Sequence, residues 1–248
     1  MQPLGILALF FILILTTHCF KGSESTKFII KNQCSNTIWP ATLAGSDSLA
    51  LSSTGFELTH GASISLNIPS GWSGRIWART FCSAVSGKFV CNTGDCGSGA
   101  ITCNGSGGAP PASLIEFTLA RPNNNQDFFD ISFVDGFNLP VSVTPQGGSG
   151  NKCQLVSCPV DLNLRCPYSL ALKGDQGSVI GCKSACVAFN QPQYCCTGPY
   201  GSPTTCPPTR YSNFFKKRCP KAYSYAYDDG TSTFTCSGGP NYLITFCP

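Results

Sequence analysis

Sixteen cysteines lie between Cys34 and Cys247, and a seventeenth, Cys19, sits inside an N-terminal apolar run. No other feature of the chain restricts its fold so strongly. Thiols at this density belong to chains that fold in oxidising compartments. A zinc reading would need His partners or paired CxxC spacings. His60 is the only His beyond the leader, and no CxxC spacing occurs. Disulfides are therefore expected throughout, with no metal and no other cofactor.

The leader agrees with that compartment. Leu4 to Leu15 form an apolar run, too short to span a membrane. Ser23 and Ser25 supply the small residues of a signal-peptidase site, which places cleavage after Ser25 and a mature start at Thr26; cleavage a few residues earlier is the alternative. Cys19 leaves with the leader, and an even sixteen remain. No second run of spanning length follows, so a secreted product without an integral membrane segment is expected.

About 220 mature residues suffice for one large unit or two small ones. Twenty-six Gly, 18 Pro and 11% aromatic residues favour β-structure, and only 11% charged residues argue against disorder. The net charge of +4 hides an asymmetry. From Lys152 to Lys221 there are nine Lys or Arg against two Asp; from Glu116 to Asp135 there are four acids against one Arg. Without a nucleic-acid motif, the basic stretch reads as solvated surface, and no nucleic-acid partner is expected.

Period-2 patterning dominates the chain. Phe28 to Lys31 opens it as a strand. GRIWARTF puts Arg75, Trp77 and Arg79 on one face. LIEFTL puts Ile115, Phe117 and Leu119 on one face and Glu116 on the other. FFDISFV follows, then an Asp135-Gly136 turn signal. Tyr223, Tyr225 and Tyr227 share a face before Asp228-Asp229-Gly230, and Tyr242, Ile244 and Phe246 close the chain. Between Cys153 and Cys219 the grammar changes, with cysteines interleaved among Pro and Gly. There the spacing of Val179, Cys182, Cys186 and Phe189 predicts a helix capped by Ser178, and Ser212 to Arg218 a second one stopped by Pro220. Sixteen cysteines allow roughly two million pairings. Local geometry suggests only the tight ones: Cys82 with Cys91 across a hairpin and Cys96 with Cys103 across a small loop. Adjacent Cys195 and Cys196 are too close in the chain to pair with each other.

GKFVCNTGDCGSGAITC, from Gly87 to Cys103, resembles the signature of thaumatin-like proteins, the plant pathogenesis-related family of osmotin and thaumatin. GRIWARTFC, PPASLIEFTL, FDISFVDGFNLP, FFKKRCPKAYSYAYDD and the closing NYLITFCP resemble the family too, so the likeness covers the mature chain. It implies the pairs Cys34–Cys247, Cys82–Cys91, Cys96–Cys103, Cys153–Cys236, Cys158–Cys219, Cys166–Cys182, Cys186–Cys195 and Cys196–Cys206. It also implies a mainly β fold. A signal peptide at 1–25 precedes one domain at 26–248. That domain has a flattened β-sandwich core (26–81, 112–152 and 220–248), a stapled-loop lobe (82–111) and a disulfide-rich lobe with short helices (153–219).

The resemblance further implies an acidic cleft, carried here by Arg75, Glu116, Asp130, Asp135 and Asp228. Each has a plainer use: Asp135 and Asp228 suit turns, and Arg75 can stack on Trp77. Glu116 is the residue that interrupts an apolar strand. Lys221 stands where many relatives have Asp, near enough to soften the cleft's potential, and Gly230 replaces a common Pro, loosening the turn that presents Asp228. With the cysteines committed to bridges and one mature His, a Ser-His-Asp or Cys-His nucleophile would have to rely on His60 alone. Paired carboxylates remain, with Glu116 as acid and Asp130 or Asp135 as partner. The expected function is a secreted, antifungal plant defence protein of apoplast or vacuole, a monomer that binds β-1,3-glucan or a fungal surface component. A weak endo-β-1,3-glucanase is the second class, and an inhibitor of a foreign α-amylase or protease the third. Asn104-Gly105-Ser106 is a glycosylation sequon.

Overall fold

The computed structural model describes residues 25–121 and 124–248. Of the expected leader only Ser25 falls within them.

Thirteen strands form among the described residues. In chain order they are β1 (Thr26–Asn32), β2 (Trp39–Ala44), β3 (Ser63–Ile68), β4 (Ser73–Val85), β5 (Lys88–Thr93), β6 (Leu114–Thr118), β7 (Gln126–Ser132), β8 (Val141–Gln146), β9 (Val156–Cys158), β10 (Ala171–Lys173), β11 (Val179–Cys182), β12 (Phe234–Ser237) and β13 (Asn241–Phe246). One sheet runs β3-β1-β13-β8-β9; the other runs β12-β7-β6-β4-β2, with β5 paired to the far end of β4. Within the first, β1 and β13 lie parallel although they come from the two ends of the chain. Cys34–Cys247 closes that junction covalently.

The sheets meet over an aromatic core because alternation sends every second side chain inward. Phe28 and Tyr242 come from the first sheet, Phe117 and Phe129 from the second. Phe28 lies 4.3 Å from Phe117, and Tyr242 lies 4.9 Å from Phe117, between ring centroids. The one polar atom that Tyr242 carries inward is satisfied: its hydroxyl donates to Asp127 Oδ2 at 2.8 Å. The chain thus forms the mainly β sandwich that its patterning and family likeness implied, and all eight disulfides have the partners the resemblance named.

The cysteine-rich stretch departs from the local reading in one place. Val179 to Cys182 is a strand, β11, and the helix begins only at α1 (Ala185–Phe189), capped by Ser184, whose hydroxyl accepts from Val187 N. Ser178 caps nothing there. The apparent helical spacing arose from bridge cysteines placed for their partners. A second short helix, α2 (Pro192–Cys195), follows. The other helix expected, α3 (Arg210–Arg218), forms with a capping box between Thr209 and Ser212. The Tyr223–Tyr227 alternation makes no strand: Tyr223 has a single parallel bridge to Ser132, and the chain turns into a short helix, α4 (Asp229–Ser232).

Candidate functional site

The chemistry gathers on the outer face of the six-stranded sheet. Alternation along β4 points Arg75, Trp77 and Arg79 to that face. Register does the rest: Arg75 pairs with Glu116, and Glu116 with Asp130. The three side chains form one row across β4, β6 and β7, with Cβ atoms about 5 Å apart between neighbours.

The rest of that face is covered. Trp77 and Leu114 pack with Ala41 beneath the Cys96–Cys103 loop. The Thr93-Gly94-Asp95-Cys96 motif holds this loop down. Thr93 bonds Thr80 hydroxyl to hydroxyl at 2.6 Å, and the Gly94 carbonyl accepts from the Trp77 indole at 2.8 Å. Asp95 accepts from Cys91 N and Gly97 N, both at 2.6 Å. The loop returns over the row at Gly107 and Gly108. A Cβ on Gly107 would lie 2.9 Å from Arg75 Nη2, and one on Gly108 would collide with the Trp77 indole. Glycine at these two positions is what lets the backbone approach the row.

Tyr223, Ala226 and Asp229 form the opposite wall. Two cavities, of about 410 and 370 Å³, flank the row and share Arg75, Glu116 and Asp130. They make one groove with the charged row at its middle, Phe128 on one side and Tyr223 on the other.

Burial decides the electrostatics. It pushes the Glu116 carboxyl up, Asp135 adds to this, and Arg75 and the Ser132 hydroxyl oppose it. Asp130 is pushed up to about 8, first by burial and then by Glu116 and Asp229. Its Oδ1 is buried without a hydrogen-bond partner. Burial also raises Asp135, against the pull of Arg75, whose Nη1 lies 4.0 Å from Asp135 Oδ2. Of the row's two carboxyls, Asp130 is therefore the one held most strongly in the protonated form, able to donate, beside a Glu116 that shares its field with Arg75.

Four of the five expected residues line this groove, and one does not. The carboxylate of Asp228 accepts from Ser224 N at 2.9 Å and from the Ser224 hydroxyl at 2.8 Å, and pairs with Lys216 at 2.9 Å. The neighbouring Asp229 faces the groove instead, where its Oδ1 accepts from the Tyr223 hydroxyl at 2.8 Å. Consecutive residues in a helical turn point about 100° apart, so only one acid of the pair can serve. Lys221 is also placed differently from expectation. Its ammonium donates to Gln154 Oε1 at 3.1 Å and to the Leu155 carbonyl at 3.2 Å, and it does not line the groove. Gly230 keeps an ordinary φ inside α4. Arg75 makes no stacking contact with Trp77; its partner is Asp135. His60 bonds the Cys34 carbonyl at 2.6 Å, away from the carboxyls. Asn104 is exposed, in a left-handed turn. Among the described residues, no three His, Cys, Asp or Glu side chains group to hold a metal, and no helix is long and apolar enough to cross a membrane.

Comparison with known proteins bears on this arrangement. The model of the Thaumatin family matches residues 32–248. Thaumatin-like protein 1 of Pyrus pyrifolia is 62% identical over 228 residues, covering 92% of this chain and 93% of that one. A protein of Prunus avium named glucan endo-1,3-beta-glucosidase is 56% identical over 237 residues, covering 95% and 96%. Among solved structures, a laminaripentaose-producing beta-1,3-glucanase in complex with laminaritetraose aligns with a TM-score of 0.59 over 91% of this chain and 99% of its own. Its identity of 12% makes that likeness one of fold.

Proposed function

The chain belongs to the thaumatin family, and from that premise we propose that it is a secreted plant defence protein whose groove binds β-1,3-glucan of fungal walls. One observation carries the reading: the Arg75–Glu116–Asp130 row lies in the middle of a groove that extends to both sides of it. A linear polysaccharide fits such a shape. Its hydroxyls both donate and accept, which suits a row of two carboxyls, each raised by burial, and one guanidinium. Phe128, 39% exposed at one side, offers an apolar face for a sugar ring. In this reading residues 1–25 are a removable leader, 26–248 are one domain acting as a monomer in apoplast or vacuole, and Asn104 carries a glycan.

Slow hydrolysis of the same polymer is the second reading. Glycoside cleavage needs one protonated and one ionised carboxyl. In this reading Asp130, raised to about 8, is the better proton holder, with Glu116 or Asp135 as base or nucleophile; burial raises both of these too, against the pull of Arg75. The name of the Prunus avium relative agrees with this chemistry.

Pull-down on insoluble β-1,3-glucan, followed by assay of released reducing sugar, tests both readings. Glu116→Gln should keep the fold and weaken retention about tenfold, the loss of one charge-assisted hydrogen bond. If the protein hydrolyses glucan, the same change should lower the rate by about 100-fold or more while retention outlasts it. Should Glu116→Gln and Asp130→Asn both leave retention, hydrolysis and fungal growth inhibition unchanged, the groove is not the site of action.

A further inference from the structure

A second cavity, of about 650 Å³, shares no lining residue with the groove. It begins near Thr80–Cys82 on β4, about 20 Å along the strand from Arg75. Six parts of the chain meet around it: Gln33–Trp39, Thr80–Cys82 within β4, Asn138–Pro140, Asp161 with Asn163, Val179–Ile180, and Cys247. Its volume falls within the range of small-molecule sites.

Three features of its wall are unusual. Phe81 sits within β4 at φ 53° and is 55% exposed. A bulky residue in the left-handed region is a true outlier, and such strain persists only where the surroundings enforce it. A large aromatic ring turned to solvent adds a second cost. Asn163, also in the wall, donates Nδ2 to the Asn138 carbonyl at 3.0 Å, and its Oδ1 is buried without a partner. Finally, Asp161 is the one ionisable side chain among the described residues that line the cavity. One of its oxygens is engaged, since Oδ1 accepts from Asn163 N at 3.0 Å.

These features define a ligand class. With no Lys, Arg or His in the wall, an anion finds no counter-charge. With two aromatic rings beside a carboxylate and an amide, a purely apolar guest would strand polar groups. A ring that carries hydroxyls on its rim and C–H groups on its face satisfies both. We propose that this cavity is a second carbohydrate site, taking one neutral hexose unit of a glycan. Its C–H face lies on Phe81 and Trp39, and its hydroxyls meet Asp161 and Asn163. The site does not depend on the groove.

Amide and indole ¹H–¹⁵N NMR of the mature protein tests this, with laminaritetraose and cellotetraose as neutral probes and trigalacturonate as the anionic control. The Trp39 indole and the Phe81 and Asn163 backbone amides should shift saturably with at least one neutral probe and stay still with the anion. Phe81→Gly should weaken that binding about tenfold and leave shifts around Glu116 and Asp130 unchanged. Glycine adopts φ 53° freely, so this variant should be at least as resistant to unfolding as the parent. The proposal is overturned if no neutral probe moves these signals, if trigalacturonate moves them equally, or if Phe81→Gly binds as tightly as the parent. Shifts confined to Glu116, Asp130 and their neighbours would sink this site while leaving the groove reading intact.

Discussion

Asp130→Asn should make the protein more stable, and by an amount that depends on pH. In the folded protein this carboxyl is raised from 3.8 to about 8 by burial, Glu116 and Asp229. Between those two values the folded state holds a proton that the unfolded chain releases, so stability falls as pH rises through the window. Each pH unit costs about 1.4 kcal/mol, and the interval from 3.8 to neutral pH accumulates about 4 kcal/mol. That figure is an upper bound, because Glu116 shares the proton and the pair titrates together. Asparagine keeps the shape of the side chain and carries no charge at any pH. Guanidinium unfolding with the disulfides intact, followed by tryptophan fluorescence from pH 3 to 8.5, measures the difference between variant and parent. Acids that do not interact with Asp130 cancel in that difference, and Glu116, relieved of a neighbouring charge, adds a smaller slope of its own. The variant's advantage should be smallest at pH 3, grow steadily above pH 4 and level off above about 8. A difference that is flat across the range, or that shrinks as pH rises, would refute the assignment of a buried, proton-bearing Asp130.

Arg79 is fully buried and donates to the carbonyls of Trp39, Ala100 and Ile101. Arg79→Met strands those acceptors and should cost about 3 kcal/mol in the same unfolding assay, whereas a loss below about 1 kcal/mol would show that the carbonyls find other donors. Thiol titration of denatured, unreduced mature protein should detect no reactive thiol, given eight bridges among sixteen cysteines; one thiol per chain would contradict the pairing.

The strands were legible because their physics is local. Ile115, Phe117 and Leu119 alternate with Glu116, and that alternation alone says which side chains enter the core. Glu116 could be singled out for the same reason, as a charge on an otherwise apolar strand. Its neighbours in the row were harder to read, since only register brings Arg75 and Asp130 beside it. The choice between Asp228 and Asp229 was hidden because it depends on how the turn closes: Ser224, four residues back, and Lys216 on α3 claim Asp228. Val179 to Phe189 misled because a cysteine is apolar in pattern while its position answers to a bridge. The tyrosines at 223, 225 and 227 misled because alternation needs a neighbouring strand to become one. Phe81 gave no signal in advance, because nothing in the residue pattern marks a left-handed phenylalanine inside a strand.

The Cys34–Cys247 bridge has a consequence for survival outside the cell. It spans 213 residues and joins the first strand to the last. Any single scission of the backbone inside that span leaves two fragments still bound to each other through sulfur. The nicked molecule gains a pair of ends but sheds nothing, and the parallel pairing of β1 with β13 continues to hold them in register. A protease released by a competing organism must therefore cut at least twice within that span, on either side of a stretch from which no bridge leads out, before an internal peptide escapes.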